Sequence, residues 1–185
     1  MKTIRNKNKQ ETNTSIITNR RNRVLDRQDF ISLVIRVLFL VLVGWILLTK
    51  VFLITQVSGN EMFPALKDGD LVIGYRLQQE YAKNDVVVYT VNGETRIGRI
   101  VGRATDVVTL DDSGTMLLNG TAQSGEIIYP TYAKDGIEYP YEIPEGYVFI
   151  LGDYRTEAED SRDFGAIPLE DVKGKVITIL RRRGL

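Results

Sequence analysis

The 185 residues include no cysteine and no histidine. Those absences exclude a thiol protease, a Ser-His-Asp triad, a disulfide framework and a Cys/His zinc site. Redox chemistry does not identify the compartment, because a cysteine-free chain is stable on either side of a membrane. Net charge is absent too, 24 Lys/Arg balancing 24 Asp/Glu, but the balance is uneven along the chain. Residues 1–50 carry ten basic against three acidic side chains, or +7; the other 135 carry fourteen against twenty-one, or −7. Internal repeats and low-complexity arrays are lacking, and no motif calls for a cofactor, metal, nucleotide or nucleic acid.

Long apolar runs are lacking except for one, from Phe30 to Thr49. About 20 residues at 1.5 Å rise match the roughly 30 Å hydrocarbon layer of a bilayer. Its lone charge, Arg36, lies near the basic end and can snorkel to the headgroups. A long polar stretch precedes the run and no A-x-A site follows it, so an uncleaved anchor is expected over a signal peptide. Basic charge ahead of the span places the N-terminus in the cytoplasm. The expected organisation is a mostly disordered cytoplasmic tail at 1–29, a single transmembrane helix at 30–50, and an extracytoplasmic domain at 51–185.

Helical periodicity is missing after residue 50. Short apolar, β-branched runs alternate with turn residues: Val51 to Val57, Leu71 to Arg76, Asp85 to Tyr89, Glu94 to Val101, Val107 to Leu110, Met116 to Leu118, Tyr147 to Leu151 and Lys175 to Leu180. Asn92-Gly93 and Asp111 to Gly114 signal hairpins. Residues 121–143, with several Tyr, Gly and Pro, read as an irregular lobe. The fold class is therefore mainly antiparallel β, preceded by one transmembrane helix.

Several segments appear in a telling order. Gly59-Asn60-Glu61-Met62-Phe63-Pro64-Ala65-Leu66 resembles the G-x-S-M-x-P-T-L box of type I signal peptidases. Arg99-Ile100-Val101-Gly102 resembles the R-[IV]-[IV]-G run that follows that family's lysine. The stretch from Gly152 to Gly165 resembles its G-D-N-R and S-x-D-S-R-x-[FYW]-G box. Gly69-Asp70, Asp85-Val86-Val87-Val88, Asn119-Gly120 and Ile167-Pro168 fit between and after them, so the resemblance covers about residues 30–180. It implies that family's coiled antiparallel β domain, with a peptide groove beside the membrane surface.

In that family a serine attacks the scissile carbonyl while a neutral lysine takes its proton. Here Glu61 stands at the serine position and Gly98 at the lysine position, and Ala158 replaces the serine that helps orient the lysine. A carboxylate is a weak nucleophile toward an amide, and the nearby Arg96 and Arg99 do not deprotonate in proteins. Losing one member of a catalytic unit reduces kcat by roughly 10⁶ in the subtilisin example. No catalytic residue is expected; Glu61 and Gly98 are vestigial positions. Ser58, three before Glu61, is expected to face the opposite way on a strand. Glu61 paired with Asp160 as an acid-protease dyad is disfavoured by Arg162, which keeps carboxylates ionised.

The remaining box residues read as structural: Gly152 and Gly165 for turn conformations, Asp160 with Arg162 bracing two loops, and Asp153, Arg155 and Ser161 beside them. Glu61 has three open readings: neutral drift, a salt bridge inside the old groove, or a contact to a partner's basic residue. Met62, Phe63, Pro64 and Arg99 are, with Glu61, candidates for the groove or a partner-binding wall; core packing is the competing reading and is favoured for Leu66 and Val87. The chain resembles the dyad-lacking, signal-peptidase-like pilus-assembly proteins of Gram-positive bacteria, which carry an acidic residue and a glycine at the two positions. That resemblance implies a membrane-anchored chaperone or assembly factor whose partners are pilin subunits or sortase. The competing expectation is an active signal peptidase with altered chemistry.

Overall fold

The computed structural model describes residues 27–123 and 128–181. Most of the tail expected at 1–29 lies outside them. One apolar helix, α1, runs from Arg27 to Val51, and its last turn, Leu47–Val51, is π-helical. It is long and apolar enough to cross a membrane. It begins before the expected Phe30 because a backbone ladder does not stop where the side chains turn polar.

Eleven strands follow: β1 Phe52–Gln56, β2 Leu71–Tyr75, β3 Val86–Val91, β4 Glu94–Arg103, β5 Val107–Leu110, β6 Met116–Leu118, β7 Thr121–Ala122, β8 Tyr141–Glu142, β9 Tyr147–Leu151, β10 Ile167–Pro168 and β11 Val172–Leu180. They form a seven-stranded sheet, β1-β2-β11-β3-β4-β9-β10, and a four-stranded sheet, β7-β6-β5-β8. The strand pairs are antiparallel. The domain after α1 is mainly β, as its composition implies.

Turn chemistry fixes the hairpin that matters most. Asn92 and Gly93 both take positive φ, 52° and 82°, so β3 turns into β4 by a twist-compatible two-residue loop. That loop sets the β3–β4 register, with Tyr89 opposite Arg96 and Val87 opposite Gly98. The lobe at 121–143 is less irregular than its composition suggests, since β7 and β8 at its ends complete the second sheet. A four-residue helix, α2 (Ser161–Phe164), departs from the all-β expectation; Asp160 and Asp163 build a reciprocal capping box around it.

The core has three parts. Val87, Tyr89, Ile100, Val148 and Ile150 fill one face of the large sheet. Val101, Val108, Met116, Ile143 and Phe149 join the two sheets. Val57, Met62, Leu66, Val72 and Val88 lie under the loop between β1 and β2. Leu66 and Val87 are thus core residues.

Candidate functional site

Glu61 sits in the turn-rich loop between β1 and β2. Met62 and Leu66 anchor that loop in the core at 2% and 1% exposure, so Glu61 is held from both sides. Met62, a groove candidate, spends its side chain mainly on packing. Ser58 and Glu61 line the same cavity of about 330 Å³, with Thr55, Gln56, Glu94 and Arg96. The expectation of opposite faces fails because residues 57–66 are loop, where strand alternation does not apply.

The Glu61 carboxylate is paired. Arg96 Nη1 donates to Glu61 Oε1 at 2.9 Å, and Arg96 Nη2 donates to Glu94 Oε2 at 2.8 Å and also to Glu159 Oε2. The guanidinium also stacks over Phe164, 5.3 Å from the ring centroid. Of the three open readings of Glu61, the geometry displays the internal salt bridge. Burial pushes the Glu61 carboxyl above the ordinary carboxylate range, and Arg96 only partly offsets it.

Gly98 lies two residues along β4 from Arg96, on the same face. A Cβ at Gly98 would lie 2.4 Å from Ile150 Cγ2, 3.3 Å from Leu151 O and 3.3 Å from Tyr89 Cε1. The volume a lysine stem would need is filled by core. The cation facing Glu61 comes instead from Arg96, one step earlier on that face. Burial first, then the Asp160 and Glu61 carboxylates, pushes the Tyr89 phenol up, so it is no proton acceptor at neutral pH.

The C-terminal box holds this geometry. Tyr154 N donates to Glu61 O at 2.9 Å. A Cβ at Gly152 would meet Ala158 Cβ at 2.3 Å and Glu61 O at 2.7 Å. Gly152 therefore serves close approach and not the turn conformation expected of it; only Gly165, at φ 85°, has that role. Arg162 donates from Nε to Asp160 Oδ1 and from Nη2 to Asp160 Oδ2, both at 2.8 Å, and from Nη2 to Arg155 O at 2.6 Å. Asp160 also accepts from Gly152 N, and Ser161 Oγ accepts from Ile150 N at 2.9 Å. With both oxygens engaged, Asp160 is a buried brace and does not offer itself as half of an acid dyad with Glu61.

Asp153 accepts two bonds from Arg99, at 2.8 and 2.6 Å, and Arg99 also donates to Asn84 O. Arg99, a partner-binding candidate, is thus tied bidentately across the loop. Arg155 is buried, donating to Thr131 Oγ1 at 2.8 Å, and burial pulls its pKa down to about 10. Phe63 packs on Tyr154, 6.2 Å between centroids, and Tyr154 on Tyr129 at 4.5 Å. Pro64 is exposed. Sequence reasoning missed Arg96 as the partner of Glu61; its alternation with Gly98 along one strand was the available signal.

The family model for signal peptidase, peptidase S26, matches residues 30–180. Probable thylakoidal processing peptidase 2 of Arabidopsis thaliana is 29% identical over 138 residues, 66% of this chain and 36% of that protein. Thylakoidal processing peptidase 1 of the same plant is 26% identical over 66% of this chain and 40% of its own. The chain thus spans well under half the length of these two relatives. Signal peptidase IB of Staphylococcus aureus (strain Mu50) is 28% identical over 166 residues, 79% of this chain and 84% of that one. A crystal structure of a signal peptidase I from Enterococcus faecalis V583 overlaps at TM-score 0.46 and 24% identity, over 54% of this chain and 98% of that chain.

Proposed function

The chain belongs to the signal peptidase S26 family, and we propose that it is a non-catalytic member: a membrane-anchored assembly factor for pilin polymerisation, working with sortase. The observation that carries the loss of catalysis is at Gly98. Its lysine space is occupied by Ile150, and the residue at the serine position is clamped by an arginine that cannot act as a base. The parts that anchor and shape the domain are retained: an apolar helix of spanning length, the loop held by Met62 and Leu66, and the Asp160–Arg162 brace. A scaffold of this kind binds an extended chain and releases it uncut. In this reading α1 spans the cell membrane once, with the N-terminus inside and residues 51–185 outside.

The relatives are named as peptidases, which favours a second reading, an active signal peptidase with altered residues. One experiment separates the two. Purified full-length protein in detergent is mixed with a preprotein and with a pilin precursor. The proposal expects no cleavage of either, and loss of pilus polymer when the gene is deleted in a pilus-bearing host. Cleavage abolished by Glu61→Ala or Asp160→Asn would establish the second reading.

A further inference from the structure

The first two strands and the last one leave one face uncovered. Cross-strand partners share a face, and the register aligns Phe52 with Tyr75 and Lys175, Ile54 with Ile73 and Thr178, and Gln56 with Leu71 and Leu180. The opposite face, with Leu53 and Val72, is buried beneath Met62 and Leu66. The first face keeps Ile54 and Leu180 at 52% and 50% exposure. Phe52 and Tyr75 pack together at one end of it, 6.4 Å between centroids. An apolar sheet face of this kind, next to a polar one, marks a contact surface.

Charge singles out one occupant. The segments that build this edge, 50–56, 71–76 and 175–183, contain Lys50, Arg76, Lys175, Arg181, Arg182 and Arg183 and no Asp or Glu. The domain as a whole is acidic, so the basic excess is local. Lys175 is paired with Asp85, while Lys50, Arg76 and Arg181 are exposed. Val51 ends α1 and Phe52 opens β1 with no residue between them, so the chain enters this face directly from its apolar helix.

We propose that the β1–β2–β11 face, with its basic margin, docks on an anionic phospholipid surface. Ile54, Ile73, Leu71 and Leu180 enter the headgroup boundary, and the cations meet the lipid phosphates. The inference rests on the membrane-anchored reading of α1. In the proposed assembly role, such docking would limit the tilting of the domain and fix the height of the Glu61 cavity above the lipid.

The cysteine-free chain permits a direct test. Full-length protein carrying single substitutions Leu40→Cys, Ile54→Cys, Leu180→Cys or Glu145→Cys is labelled with a fluorophore. It is then reconstituted in phosphatidylcholine vesicles with or without phosphatidylglycerol, each containing nitroxide lipid. Labels at Ile54 and Leu180 are expected to be quenched in the anionic vesicles and the Glu145 label not. Arg76→Gln with Arg181→Gln, Arg182→Gln and Arg183→Gln is expected to weaken that quenching, at roughly fivefold in partitioning per charge, and to leave the Leu40 signal intact. Quenching at Leu40 without quenching at Ile54 and Leu180, or equal quenching in the two lipids, overturns the docking while the anchor stands. An unquenched Leu40 overturns the anchor itself. Protection that grows with the protein-to-lipid ratio and ignores lipid charge assigns the face to a second copy and also overturns the proposal.

Discussion

Gly98 is the residue on which the chemistry turns. Ile150, fully buried and β-branched, points its Cγ2 into the space a side chain at 98 would occupy. Gly98→Ala is therefore expected to destabilise the domain by about 1–3 kcal/mol, the usual range for overpacking, read as a lower urea midpoint at unchanged slope. Glu61→Ser with Gly98→Lys is expected to show no peptidase activity in a preprotein cleavage assay, because the new ammonium would have to displace core. Glu61→Ala is a milder change. Arg96 keeps Glu94 and Glu159, and the pair is partly open to solvent, so the expected loss is under about 1 kcal/mol. Glu61 and Gly98 were legible as departures from a motif. The Glu61–Arg96 pair was not, because it depends on how the loop 57–66 packs on β4.

Short elements carry more of this fold than their length suggests. The segment from Asp160 to Phe164 is one helical turn, yet its buried Asp160–Arg162 pair ties β9 to the loop carrying Arg155. Removing one partner leaves a buried charge, so Arg162→Met is expected to destabilise by about 3–5 kcal/mol in urea unfolding. A loss near zero would remove the brace from the account. In the second sheet, Asp106 accepts from Arg103 N, Asn119 Nδ2 and Lys83 Nζ. Partial burial opposes the charge, but these bonds and Lys83 outweigh it and hold the carboxyl below its ordinary range. The unfolded chain then binds the proton more readily, so this stabilisation is full above about pH 4 and fades as pH falls through the lower folded value. Asp106→Asn should flatten the acid limb of a stability-against-pH curve. Asn92-Gly93 announced its hairpin from sequence alone, because type I′ loops demand such residues. The strands β7 and β8 did not, being two residues each with no period to read.

At the scale of the whole chain, charge segregation is the organising fact, and it was visible before any fold. Eight Lys/Arg lie within residues 1–27, ahead of the apolar run, whereas the 135 residues after position 50 are acidic overall. By the positive-inside tendency that asymmetry directs the translocation of the β domain. Protease added to intact cells or right-side-out vesicles should therefore degrade the β domain and spare an epitope placed at the N-terminus. Neutralising Lys2, Arg5, Lys7, Lys9, Arg20, Arg21 and Arg23 with Gln should yield a mixture of orientations, seen as a protease-resistant fraction of the β domain. A wild-type β domain fully protected in right-side-out vesicles would place it on the cytoplasmic side, away from any polymer assembled outside, and would end the assembly reading whatever the state of Glu61 and Gly98.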